Sequence, residues 1–190
     1  VAETEKSIFW RKVWKAIVDE CHRVRPGSMV TVSPFFLLDK DERRRFKYLE
    51  PCEYEQWWSA TLEETGIDIL MLQDSGEHLS LYTLAEREPF FAAFSRACES
   101  AGTTFWLNVE TGQADVKDWS EVLAMEKEKP RPEKWRVFTE INWLSQKLEL
   151  ASKYGERIVN WGYYPLMNPA KEVAGGYLND VGGSPIDYKD

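Results

Sequence analysis

One pattern occurs four times along the chain: an amphipathic helical stretch, a glycine, then a short β-rich run. The first helix spans roughly Glu5 to Arg25, with Trp10, Val13, Trp14, Ile17, Cys21 and Val24 at the three-to-four-residue spacing of one buried face. Pro26-Gly27 ends it and Met29 to Ser33 follows as a strand. The second helix carries Tyr54, Trp57, Trp58 and Leu62, stops at Gly66 and leads into the strand Ile67–Leu72. The third is read from Pro89, a good first-turn residue, through Phe90, Phe91, Phe94, Ala97 and Cys98 to Gly102, with Thr103–Val109 as its strand. The fourth carries Trp135, Phe138, Ile141, Leu144, Leu148 and Ala151, stops at Gly155 and precedes the strand Arg157–Trp161.

The glycines at 27, 66, 102 and 155 lie 39, 36 and 53 residues apart. The first two spacings suit one helix–strand unit of a parallel sheet. The third is lengthened by a charged loop that includes Lys127 to Pro132. Near-continuously apolar strands are buried on both faces, and right-handed helical crossovers between parallel strands are the economical connection. Two α/β architectures fit: a doubly wound sheet of four or five strands, or a piece of a (β/α)8 barrel. A whole barrel needs about 250 residues, against 190 here. A doubly wound nucleotide-binding sheet carries a glycine-rich turn after its first strand, where this chain has Ser33-Pro34-Phe35-Phe36. Gly175-Gly176 and Gly182-Gly183 follow no strand and read as tail flexibility, and residues 181–190 read as a flexible tail outside the fold. Asp187-Tyr188-Lys189-Asp190 looks like the start of an epitope tag.

Charge removes several function classes. Lys plus Arg number 24 and Asp plus Glu 32, a formal net charge of −8, so no basic surface for nucleic acid or anionic lipid is expected. No apolar run is long enough to span a bilayer. Cys21, Cys52 and Cys98 form no CxxC pair, and His22 and His78 are the only histidines, so a Cys/His metal site is not expected. Walker, GxSxG and HExxH motifs do not occur, and no cofactor is implied. The chain begins at Val1 without a leader, which reads as a processed, trimmed or split product.

In parallel α/β folds the site lies at the C-terminal ends of the strands. Those ends read Ser33-Pro34-Phe35, then Gln73-Asp74-Ser75-Gly76-Glu77-His78, then Asn108-Val109-Glu110, then Trp161-Gly162-Tyr163-Tyr164. Amides such as Gln73 and Asn108 are costly within an apolar strand unless bonded. Asp74 and Glu110 come from consecutive units, so on neighbouring strands their carboxyl groups stand roughly 5 to 9 Å apart, the range of glycosidase carboxylate pairs. They are the candidate catalytic pair, with Glu77 and His78 as further polar contacts. Trp161 and Tyr163 offer rings for stacking on a sugar face. His22, late in the first helix, reads as a C-terminal cap.

Four motifs carry a family resemblance: Asp68-Ile69 with Gln73-Asp74 on the second strand, Val30 to Phe35 one unit earlier, Phe105-Trp106-Leu107-Asn108-Val109-Glu110 one unit later, and Tyr163 to Pro169. Together they resemble a bacterial family of uncharacterised glycoside-hydrolase-like (β/α)8 barrels. The resemblance covers about residues 1–180 and implies the second half of such a barrel, strands five to eight. The other half then comes from another chain, a second copy or residues beyond this sequence. It further implies a carbohydrate-active enzyme, secreted or periplasmic, with Glu110 as nucleophile or base. Asn108 would orient Glu110 or bind a hydroxyl, and Asp74 would be the acid or a substrate clamp. A non-catalytic carbohydrate-binding barrel, or a barrel enzyme or cyclase for a small apolar substrate, are the alternatives.

Overall fold

All four helix–strand repeats are present in the computed structural model, which describes residues 4–110, 112–114, 116–127, 136–138, 141–161 and 181–182. The elements are α1 (Glu5–Val24), β1 (Thr31–Val32), α2 (Pro51–Thr65), β2 (Ile69–Asp74), the 3-10 turn η1 (Glu77–Leu81), α3 (Leu84–Ala101), β3 (Thr104–Glu110), β4 (Gly112–Ala114), α4 (Trp119–Lys127), β5 (Arg136–Phe138), α5 (Ile141–Ser152), β6 (Arg157–Trp161) and β7 (Val181–Gly182).

Local chemistry sets the boundaries. Thr4 caps α1 in a reciprocal capping box with Ser7, and Pro51 opens α2 where its missing N–H is harmless. Gly66 and Gly102 end α2 and α3 in the left-handed region at φ 67°, the conformation that admits glycine without strain. Gly155 acts differently. A Cβ there would stand 3.2 Å from Leu107 Cδ1 and 3.3 Å from the Arg157 carbonyl oxygen, so this glycine permits close approach of the α5–β6 connection to β3. Gly155→Ala is expected to cost about 1–3 kcal/mol by overpacking, read as a lower urea midpoint.

Two helix starts differ from the sequence reading. α3 starts at Leu84, five residues before Pro89, because Thr83 and Glu86 form a capping box that supplies the first-turn N–H groups with acceptors. Pro89 therefore sits inside the helix. The fourth helix starts at Ile141; Phe138 belongs to β5, and Trp135 lies outside the described residues. Val181–Gly182, read as tail, pairs with β5 in a small sheet of order β4-β5-β7.

The main sheet has four parallel strands in chain order, β1-β2-β3-β6. Gln73 stands opposite Asn108, Asp74 opposite Val109 and Glu110 opposite Trp161. Leu70 and Leu72 of β2 and Phe105, Leu107 and Val109 of β3 share the core with Leu62, Phe90, Phe91, Phe94, Ala97, Leu144 and Ala151 from the helices. Met71, Gln73, Trp106 and Asn108, on the alternate positions, stand outside that cluster. Trp14 and Trp58 stack at 5.9 Å across α1 and α2. Cys98 is buried, its thiol pushed up to about 12 by desolvation. His22 does not cap α1. Its Nε2 is 2.9 Å from Asp68 Oδ2, which also accepts the Val30 N–H at 2.7 Å, tying α1 to the start of the sheet. No helix among the described residues is long and apolar enough to cross a membrane.

Candidate functional site

β2 and β3 end side by side, and their last polar residues form two groups. The first follows the alternate face of the sheet. Gln73 Nε2 donates to the Ser33 carbonyl at 2.9 Å and its Oε1 accepts from Ser75 Oγ at 3.3 Å. Ser33 Oγ donates to the Met71 carbonyl at 3.0 Å. Asn108, opposite Gln73, is 7% exposed, and its Oδ1 is buried without a hydrogen-bond partner among the described residues. Trp106 Nε1, two residues back on the same face, is in the same position. The Arg157 guanidinium stands 5.6 Å from the Trp106 ring centroid. Buried polar atoms are ordinarily bonded, so this face has spare capacity for a ligand or a further protein segment.

The second group is a buried set of charges where β2, β3, α3 and α5 meet. Asp74 and Arg87 are 1% and 3% exposed, joined by Arg87 Nη1 donating to Asp74 Oδ1 at 2.8 Å. Arg87 Nη2 donates to the carbonyls of Leu79 at 2.6 Å and Tyr82 at 3.1 Å, so one guanidinium holds Asp74 and both ends of η1's last turn. Lys147 Nζ donates to the Glu110 carbonyl at 2.7 Å and stands 3.6 Å from Asp74 Oδ2. Desolvation pulls the Lys147 ammonium below its ordinary pKa, while the charges of Asp74 and Glu110 oppose that pull. Glu110, 3% exposed, accepts the Gly76 N–H on Oε2 at 3.1 Å. Trp143 lies over Arg87 at 5.9 Å. The space enclosed by these groups is about 10 Å³, room for one water at most.

The structure thus brings Asp74 and Glu110 to one small space, by an unexpected route. Asp74 faces Val109 in register, so strict alternation sends the two carboxylates to opposite faces of the sheet. Both nevertheless border the space beneath η1, since each sits where its chain leaves the strand. Gln73 and Asn108 are neighbours as expected, and Trp161 ends β6 opposite Glu110. Glu77 and His78 are the first two residues of η1. Tyr163 lies outside the described residues. Sequence reading missed Arg87 and Lys147. Their signal was a cation on the apolar stripe of a helix, Arg87 with Phe90, Phe91 and Phe94, and Lys147 with Leu144 and Ala151. Among the described residues no three His, Cys, Asp or Glu side chains are grouped to hold a metal ion.

A parallel four-stranded sheet with helices packed on it defines an α/β protein, with a fold similar to that of a glycosidase. The crystal structure of a putative alpha-L-fucosidase from Bacteroides thetaiotaomicron VPI-5482 superposes with a TM-score of 0.63 over 88% of this chain at 17% identity. The match takes in 47% of that chain, so this chain spans about half its length. Residues 3–173 match the family described as Domain of unknown function (DUF4434), and the chain belongs to that family. No curated protein matches it in sequence.

Proposed function

We propose that this chain is the half of a (β/α)8 barrel that carries strands five to eight, and that it acts on carbohydrate as a glycoside hydrolase, with Glu110 as the carboxylate at the reacting centre. The observation that carries this reading is the pairing of Gln73 with Asn108 at the C-terminal ends of neighbouring parallel strands, with Asn108 Oδ1 buried and unbonded among the described residues and Glu110 closing the same strand two residues on. That is the end at which parallel α/β enzymes bind substrate. Strand order supports the half barrel: it runs β1-β2-β3-β6 without the reversal that marks a doubly wound sheet. Similarity to a solved fucosidase-named fold adds a carbohydrate substrate class as a proposal.

Asn108 would bind a sugar hydroxyl or orient Glu110, Gln73 would fix its own strand end, and Trp161 and Tyr163 would form a stacking wall. Asp74 is assigned a positioning part. Gripped by Arg87 and Lys147, it holds the ammonium that holds the Glu110 carbonyl. The proton donor for the leaving group would then come from the other half of the barrel.

Both ends of the layer expose apolar side chains: Trp10, Ile17 and Val24 on α1 with Met29 and Phe35 beside β1, and Ile141 and Leu148 on α5 with Ile158 on β6. A half barrel leaves such ends to be covered. Light scattering after gel filtration should therefore find the isolated chain associated; a well-behaved monomer would overturn the half-barrel assignment.

A second reading has its own observation. The space at Glu110 holds no more than a water, which favours a barrel that binds carbohydrate without cleaving it. Activity on p-nitrophenyl glycosides, assayed beside glycan-array binding, separates the two. Turnover supports the hydrolase, binding without turnover supports the lectin-like barrel, and absence of both turnover and binding overturns both.

A further inference from the structure

A second cleft opens on the same rim, on the other side of η1. It measures about 610 Å³ and is lined by Arg43, Leu81, Tyr82 and the stretch Lys117 to Ser120, within the size range of ligand pockets. Its residues follow the C-terminal ends of three consecutive strands of the main sheet: Arg43 after β1, Leu81 and Tyr82 after β2, and Lys117 to Ser120 after β3. Leu79 and Ser80 of η1 border the space at Glu110, while Leu81 and Tyr82 border this cleft, so one short turn is the wall between them.

The walls are fixed before any ligand arrives. Arg87 holds the carbonyls of Leu79 and Tyr82, and Ser80 Oγ accepts the Ala114 N–H at 3.0 Å. The Arg43 guanidinium lies 5.3 Å from the Trp119 ring centroid, and Arg44 pairs with Glu126 of α4, so the loop after β1 is joined to α4. Trp119 Nε1 donates to the Tyr82 hydroxyl at 3.2 Å. Desolvation raises the Tyr82 pKa, so its own proton remains in place to donate onward.

The geometry points to a subsite for a neutral oligosaccharide in this cleft, with Trp119 and Tyr82 supplying ring faces and Lys117, Arg43 and Asp118 supplying hydroxyl contacts. This rests on the carbohydrate reading above and extends it: the substrate is a chain of sugars that crosses η1 rather than a single sugar. Aromatic rings beside fixed polar groups match the alternating apolar and hydroxyl faces of a pyranose. Charge argues for neutrality. Arg43 is held by Asp39 at 3.4 Å and by Asp41, and Asp118 stands next to Lys117, so two cations face three carboxylates and an acidic sugar gains nothing there. The N-terminal amides of α4 are not open to an anion, because Asp118 Oδ1 accepts from the N–H groups of Ser120 and Glu121 at 2.8 and 3.2 Å.

Titration calorimetry of the full chain with cellohexaose, mannohexaose, xylohexaose and hexagalacturonic acid, each beside its monosaccharide, tests the assignment. At least one neutral hexamer should bind more tightly than its monosaccharide and more tightly than the galacturonate. Trp119→Ala should weaken it about tenfold, the scale of one lost stacking surface. Trp119→Phe, which keeps a ring face, should restore most of the affinity. Lys117→Ala, at an exposed side chain, should weaken binding without altering the melting temperature. Equal hexamer affinity in wild type and Trp119→Ala overturns the subsite and leaves the carbohydrate reading standing. So does turnover of aryl monosaccharide glycosides with no hexamer bound. Preference for the galacturonate overturns the neutral class. Absence of both hexamer binding and glycoside turnover overturns both readings.

Discussion

Arg87→Ala should lower the unfolding free energy by about 3–5 kcal/mol, the usual result of removing one partner from a buried ion pair. The guanidinium is 3% exposed and bonds Asp74 and two backbone carbonyls of η1. Its loss leaves Asp74 facing Lys147 alone and strips both carbonyls of a donor, in a space that admits one water. At about 2–4 °C per kcal/mol for a chain of this size, the melting temperature should fall by roughly 6–20 °C. The double replacement Arg87→Met with Asp74→Leu should not recover that loss, because buried Lys147 then keeps only Glu110 to offset its desolvation and the Leu79 and Tyr82 carbonyls still lack their donor. A loss below about 1 kcal/mol for Arg87→Ala, measured by urea unfolding, would show that the pair is not the buried one described above.

Glu110→Gln should reduce glycoside turnover by a factor of about 10²–10⁴, the range for a positioned acid–base group, while leaving the fold intact. The amide keeps a carbonyl oxygen for the Gly76 N–H. Lys147 bonds the backbone carbonyl of Glu110, which the substitution does not touch. A catalytic carboxylate thus predicts a large kinetic change with a small thermal one. The substitution removes one of the two carboxylates that favour the charge of Lys147 under either role, so a modest thermal loss is common to both and turnover decides between them. Near-normal turnover with a strongly lowered melting temperature would assign Glu110 to the fold.

Much of the architecture is written in the repeat of amphipathic helix, glycine and apolar strand, since each signal is local. The four glycines fall between the four helices and their strands, although only Gly66 and Gly102 end their helices in the left-handed region. Pro89 suits a first turn and so points to a start at 89, while the real start of α3 is set five residues earlier by the reciprocal capping of Thr83 and Glu86. Phe138 fits a helical stripe and is in β5, where pairing with Gly112 decides its state. At the site, the neighbouring amides and carboxylates were legible because strand order follows chain order. The environment of the carboxylates was not. A lone cation in an amphipathic window is assigned by habit to the solvent face, yet the positions of Arg87 and Lys147 on the buried stripes were evidence of partners waiting inside.

Strand pairing in chain order has a consequence for how the molecule comes together. Each helix–strand unit binds chiefly the unit just made: Thr31 meets Ile69, Ile69 meets Thr104, and Trp106 meets Arg157. The helices follow suit, with Arg11 paired to Glu64 and Arg96 to Glu55. Such a chain behaves like a short linear array, its stability a sum of unit terms and nearest-neighbour interfaces. Assembly can then follow the ribosome, each new unit condensing on an already exposed neighbour, without waiting for a distant segment to be synthesised.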